Sequence, residues 1–193
     1  RIYAERVGRP YEELNLVVAH MGGGISVAAH RKGRVIEVNN ALDGEGPVAP
    51  ERAGTVPAGD LVDLCYSGRY THEQARHLIV GHAGLVSLTG TNSVRELDNR
   101  AATGDSEAAK ALELMSFTIV KSIGQMAAVL RGEVDAVILT GGIAYCSRVT
   151  DDITRYCRFI APIEIFPGEN ELQALAHNAL RVLQNQTVAK IYE

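Results

Sequence analysis

The stretch NLVVAHMGGGISVAAHRKGRVIEV, residues 15–38, decides the fold. Leu16, Val17, Val18 and Ala19 form an apolar run that breaks at Met21, Gly22, Gly23 and Gly24. A second run covers residues 25–30, Lys32 and Gly33 mark another turn, and a third run covers residues 35–38. Short runs rich in Val, Ile and Ala, separated by glycine-bearing turns, predict strands joined as hairpins. Residues 15–40 therefore read as a three-stranded antiparallel meander.

Downstream of the meander, residues 40–57 hold Leu42-Asp43-Gly44-Glu45-Gly46-Pro47 and Pro50-Glu51-Arg52-Ala53-Gly54. So much Gly, Pro and Asp predicts a long irregular loop, and such loops are commonly functional. Residues 60–100 look helical in short pieces, with Ser93-Val94-Arg95-Glu96 as a capping box. Ala108, Leu112, Met115, Ile119, Ile123, Met126 and Leu130 recur at three- and four-residue steps, which predicts one long helix over about 105–131, stopped by Gly132. The apolar run VDAVILT, residues 134–140, predicts a strand buried on both faces, leading through Gly141-Gly142 into a helix from about Ser147. Residues 161–166 repeat the strand signal, and 169–184 give a last helix through Leu172, Leu175, Ala176, Ala179, Leu180 and Leu183. The order is a β-meander followed by α, β, α, β, α. We expect a single α/β domain over 1–193 with a helical insert at about 58–132.

Upstream, Ile2, Tyr3 and Val7 predict a short helix ended by Gly8 and Pro10. The chain begins with Arg1, already inside that helical pattern and without a capping residue, so further sequence is expected to precede it.

Bulk composition narrows the function. A net charge of −4 offers no basic footprint, so neither nucleic acid nor an anionic membrane surface is an expected partner. No apolar run approaches the roughly 20 residues of a membrane span. Cys65, Cys146 and Cys157 are scattered and odd in number, which fits a reducing compartment and a cytoplasmic protein rather than a disulfide framework.

Two glycine turns carry the chemistry. In His20-Met21-Gly22-Gly23-Gly24-Ile25-Ser26 the missing side chains let successive N–H groups converge on an anion, with His20 as an added donor; a flexible hairpin turn is the plain alternative. In Leu139-Thr140-Gly141-Gly142-Ile143-Ala144 a buried strand ends in paired glycines, where a flat ring or a phosphate can lie on bare backbone; close strand–helix packing is the alternative. Gly22-x-Gly24-x-x-Val27 lacks the third glycine of a dinucleotide fingerprint and is followed by a strand, so a Rossmann dehydrogenase is excluded, and no Walker motif is present. Arg52, set between prolines in the long loop, suits bidentate binding of carboxylate or phosphoryl oxygens, and Arg95 stands beside the capping Ser93. Glu169 and Glu171 open the final helix, where a nucleotide-bound Mg²⁺ or simply the helix dipole could use them.

NLVVAHMGGGISVAAHRKGRVIEVNNALDGEGPVAPERAG and VDAVILTGGIAY together closely resemble the butyrate kinases of the acetokinase family, within the superfamily of acetate and sugar kinases, actin and heat-shock chaperones. The likeness runs over essentially the whole chain, and acetate kinase is a more distant match. The resemblance implies an α/β, ribonuclease H-like (actin-like ATPase) domain. It also implies Mg²⁺-dependent, reversible transfer of the ATP γ-phosphoryl group to butyrate or another short-chain or branched carboxylate, giving ADP and an acyl phosphate. His20 and Gly22, Gly23 and Gly24 would hold the β- and γ-phosphates, and Arg52 the acyl carboxylate and the transferring group. Gly141, Gly142 and Ile143 would line the adenosine pocket, with Arg95 near the purine, and Glu169 or Glu171 would reach the metal. Only the carboxyl-terminal of the family's two domains is matched, so an amino-terminal domain would be missing and the isolated chain inactive. Self-association as a homo-oligomer is also implied. An acetate or propionate kinase, or a non-catalytic nucleotide-binding module on the same fold, are the competing readings.

Overall fold

The computed structural model describes residues 1–168, 171–185 and 188–189, with the backbone alone for 171–174. Five strands make one sheet in the order β3-β2-β1-β4-β5. β1 (Asn15–Met21), β2 (Ile25–Arg31) and β3 (Arg34–Val38) are the antiparallel meander. β4 (Ala136–Gly141) runs parallel to β1, and β5 (Ile163–Pro167) parallel to β4. α1 (Ile2–Val7) precedes the sheet. Between β3 and β4 come α2 (Ala58–Tyr66), α3 (His72–His77), α4 (Leu85–Thr89), α5 (Val94–Ala102) and α6 (Ser106–Val129). α7 (Ser147–Cys157) crosses from β4 to β5, and α8 (Glu171–Leu183) follows.

The two-residue period of β1 sorts its side chains. Val17, Ala19 and Met21 join the main core with Val27, Ala29, Val137 and Leu139, whereas Leu16 and Val18 join a smaller cluster with Tyr3, Ala4 and Leu14 beneath α1. His20 shares the second face. α6 covers the first face with Leu112, Met115, Ile119 and Ile123, all 0–1% exposed, and each such side chain stabilises the fold by roughly 1.5–3 kcal/mol. With 24 residues α6 is long enough to cross a bilayer, but ten of them are buried inside the protein, so its apolar side is occupied by the sheet.

Several boundaries differ from expectation for local reasons. Met21 completes β1 by pairing with Ile25, so the turn is only Gly22–Gly24. Of the stretch expected as an insert, α4, α5 and α6 give Leu85, Val94, Leu97 and Leu112 to the main core, leaving α2 and α3 peripheral. Ser93 caps α5 by accepting from the Glu96 N–H at 3.2 Å, but the Glu96 carboxylate turns instead to Thr91 Oγ1. The reciprocal capping box belongs to Thr71 and Gln74 at α3. Gly132 does close α6, donating to Ala127 O at 2.9 Å, yet Arg131 before it also takes a left-handed φ of 59°. α8 forms as expected, but Leu175, Leu180 and Leu183 on it remain exposed.

Asp135 ties the two central strands together ahead of the site. Its Oδ2 accepts from the Asn15 N–H at 2.8 Å and its Oδ1 from Arg9 Nη1 at 2.7 Å. Burial pushes this carboxyl up, but the Asn15 and Arg9 donors together outweigh that and hold it below the usual range. A depressed carboxylate stabilises the folded state above its unfolded value of about 3.9 and loses that contribution as pH falls through the folded value. The urea midpoint should therefore drop further between about pH 7 and about pH 3 in the wild type than in Asp135→Asn. Equal drops would remove Asp135 from the acid sensitivity.

Candidate functional site

β1 and β4 end side by side, with His20 in register with Thr140, so the two glycine turns emerge together at the carboxyl end of the sheet. That is where an open α/β sheet leaves room for ligands. None of Gly22, Gly23 and Gly24 has a positive φ, so the hairpin does not need glycine for its backbone conformation. The need is for space. It holds for Gly24, where a Cβ would overlap the Arg52 guanidinium at Nη1 and Cζ, whereas one on Gly23 would make only an ordinary 3.9 Å contact with Glu51 Oε2. The Gly22 N–H is already bonded to Gly24 O at 3.1 Å, which leaves the Gly23 and Gly24 amides, rather than all three, to meet an anion.

The loop that brings Arg52 to this turn is irregular but tightly bonded. Ala49 N–H donates to Arg52 O (3.1 Å), Ala53 N–H to Ile79 O (2.9 Å), Gly81 N–H to Glu51 O (2.7 Å) and Val48 N–H to Thr118 Oγ1 on α6 (3.0 Å). Gly84, at φ 64°, backs the loop so closely that a Cβ there would strike Ala49 O and the Arg52 backbone. Asn39 staples the other side, accepting from the Val27 N–H at 2.7 Å and donating to Ile25 O and Glu45 O. Arg52 makes no ion pair among the described residues, so its charge stays available.

The glycine turn is the common wall of two cavities. One, of about 710 Å³, is lined by His20, Gly24, Arg52, Val38 and Leu42. The other, of about 820 Å³, is lined by Gly23, Glu51, Arg95, Gly142, Ile143 and Tyr145. His20 makes no side-chain hydrogen bond among the described residues, so its ring is free to donate. The paired glycines of β4 divide their work. Gly142 faces open space, with nothing within 4 Å of a Cβ placed on it, and lines the second cavity. Gly141 stands behind that wall at φ 91°, where a Cβ would lie 2.7 Å from Met21 C and 2.8 Å from Met21 N. Gly141 is closely packed, but against the neighbouring strand β1 rather than against a helix.

Sequence reasoning passed over Glu51, Asn92 and Tyr145. Glu51 and Asn92 are hydrogen-bonded across 41 positions, and no local pattern marks such a pair. Tyr145, 73% exposed over the second cavity, closes the VDAVILTGGIAY stretch and could have been read from it. Cys146 also reaches this cavity, but burial pushes its thiol up, away from nucleophilic character. Glu169 lies outside the described residues, and of Glu171 only the backbone, at the start of α8, is described. Among the described residues no group of three or more His, Cys, Asp or Glu gathers as a self-sufficient metal centre. A further cavity of about 920 Å³ between α5, α6 and α7 is crossed by the Arg148–Asp98 ion pair and lacks a glycine turn.

The profile of the acetokinase family matches residues 1–189. Butyrate kinase 2 of Clostridium acetobutylicum is 52% identical over 191 residues, 99% of this chain and 54% of that protein. A probable butyrate kinase of Clostridium botulinum (strain Alaska E43) is 50% identical over 190 residues, 98% of this chain and 54% of its own length. The chain thus spans about half the length of the curated relatives it matches. In the crystal structure of Porphyromonas gingivalis acetate kinase, 94% of this chain superposes on 52% of that one with a TM-score of 0.84 at 21% identity. For a propionate kinase from Francisella tularensis the values are 88%, 49%, 0.78 and 22%. At these identities the superpositions establish the shared fold.

Proposed function

The chain belongs to the acetokinase family, and from that premise we propose that it is the nucleotide-holding half of a carboxylate kinase acting on butyrate or a related short-chain or branched acid. In the forward direction a carboxylate oxygen attacks the γ-phosphorus of ATP, the bond from that phosphorus to the β,γ-bridging oxygen breaks, and ADP leaves as the acyl phosphate forms. The reverse reaction makes ATP. The observation that carries the proposal is the shared wall: one backbone turn with free amides has a cation-bearing cavity on one side and a cavity with an exposed aromatic ring and bare Gly142 on the other.

A carboxylate is already ionised at neutral pH, so the reaction needs no general base. Alignment and neutralisation of the charge on the phosphoryl group in flight remain to be supplied. The Gly23 and Gly24 amides, with His20, hold the β- and γ-phosphates. Arg52, braced on Gly24, orients the carboxylate and stabilises the equatorial oxygens of the transferring group. Val38, Ala41 and Leu42 give the acyl chain an apolar surface beside that arginine. Gly142 and Ile143 receive the adenosine, with Arg95 and Tyr145 flanking the ring, and Gly141 keeps their wall in place. Mg²⁺ arriving with the nucleotide would offset the charge on its phosphates. Glu169 or Glu171 are proposed to approach it, and the sequence outside this chain to close the cleft. A cytoplasmic, self-associating enzyme is the setting we propose.

Binding is testable on the chain itself. Titration with Mg-ATP, followed by the backbone amide resonances, should move Gly23, Gly24, Gly142 and Ile143 along one saturation curve. Movement of only one set, or of neither at millimolar nucleotide, would overturn the two-turn site.

A further inference from the structure

The loop that carries Arg52 sets two opposite charges on opposite sides of one turn. Arg52 rests on Gly24 toward the first cavity, and Glu51 faces Gly23 toward the second. The Glu51 carboxylate is held in place. Its Oε1 accepts a 2.6 Å hydrogen bond from Asn92 Nδ2, its N–H donates to Gly23 O at 3.4 Å, and its C=O accepts from the Gly81 N–H at 2.7 Å. Oε2 is left over, directed at the turn, 3.9 Å from the point where a Gly23 Cβ would stand. No Lys, Arg or His among the described residues pairs with this carboxylate.

A fixed, unpaired carboxylate beside an anion-binding turn repels a bare phosphate. A divalent cation between them turns the repulsion into two attractions. Mg²⁺ is usually held by one or two carboxylates together with phosphate oxygens and waters, in octahedral geometry. Glu51 Oε2 plus a polyphosphate on the Gly23 and Gly24 amides is such a donor set, so the residues present fit the ion. We propose that Glu51, oriented by Asn92, is an oxygen ligand, directly or through one water, for the divalent cation that arrives with the nucleotide. The Arg52 loop would thereby make nucleotide binding depend on that cation. The inference rests on the nucleotide reading above and concerns a contact separate from anything α8 supplies.

Calorimetric titration of the chain with ATP, in Mg²⁺ and in excess EDTA, tests it. The wild type should bind Mg-ATP at least about tenfold tighter than free ATP, and Glu51→Gln should shrink that ratio to within about twofold, chiefly by binding free ATP better. A Glu51→Gln chain that keeps the wild-type ratio overturns the inference while leaving the nucleotide site standing. A wild type that binds neither form of ATP overturns the nucleotide reading, and this inference with it. Should Glu51→Gln not fold, Asn92→Ala frees the carboxylate without removing its charge. It should lower the Mg²⁺ advantage severalfold with free-ATP affinity unchanged, and an unaltered advantage would sink the proposal.

Discussion

On the proposed function, Arg52→Ala made in a full-length protein that contains this chain is expected to slow acyl phosphate formation by about 10²–10⁴-fold and to leave Mg-ATP affinity within about threefold. The asymmetry follows from where the guanidinium lies. It stacks on Gly24 toward the cavity with His20, Val38 and Leu42 and does not line the cavity with Gly142 and Arg95. Nor does it hold the loop: the bonds that fix residues 46–55 run through backbone groups, through Thr55 and Thr118, and through the Glu51–Asn92 pair. Removing the side chain should therefore delete charge stabilisation in the transition state and spare both the fold and the nucleotide. Arg52→Lys keeps the charge but not the planar fork, and should recover only part of the rate. Rate and affinity falling together would make Arg52 a binding residue only.

Gly141→Ala is expected to destabilise the chain by about 3–5 kcal/mol, whereas Gly142→Ala, one residue on, should stay within about 0.5 kcal/mol of wild type. Gly141 has φ 91° and ψ 176°, a region that side chains with a Cβ essentially do not occupy. Its Cβ would also meet the Met21 backbone, which cannot step aside without pulling β1 from β4. Gly142 has neither constraint, and its methyl would project into the cavity. Urea unfolding of both variants separates the roles. Similar losses would mean that the pair acts as one packing element and that Gly142 is not part of the cavity wall for the reason given.

The sequence displayed the elements whose signal is local. The glycine-punctuated alternation of residues 15–38 gave β1, β2 and β3, and the apolar steps from Ala108 to Leu130 gave α6, because period and burial are one pattern there. The apolar VDAVILT run likewise became the central strand β4. What stayed hidden was non-local. That Gly24 is small to admit Arg52, and not to allow a turn, depends on a loop almost thirty positions away. The same holds for Gly141, which reads like Gly142 in sequence and differs from it only because Met21 lies against it. The half-formed capping box at Ser93 is a milder case, since the nearby Thr91 hydroxyl competes for the Glu96 carboxylate.

Were ligands to occupy both sides of this wall, as the proposed function has it, a thermodynamic consequence would follow. Whatever the Gly23 and Gly24 amides hold restricts the same few backbone atoms on which Arg52 rests, so occupancy of one side must bias the other, and linkage makes that bias equal in both directions. Communication of this kind needs no relay through the core. The two cavities share Gly22 and Gly23, and the stiffness of that short span would set how strongly each side feels the other.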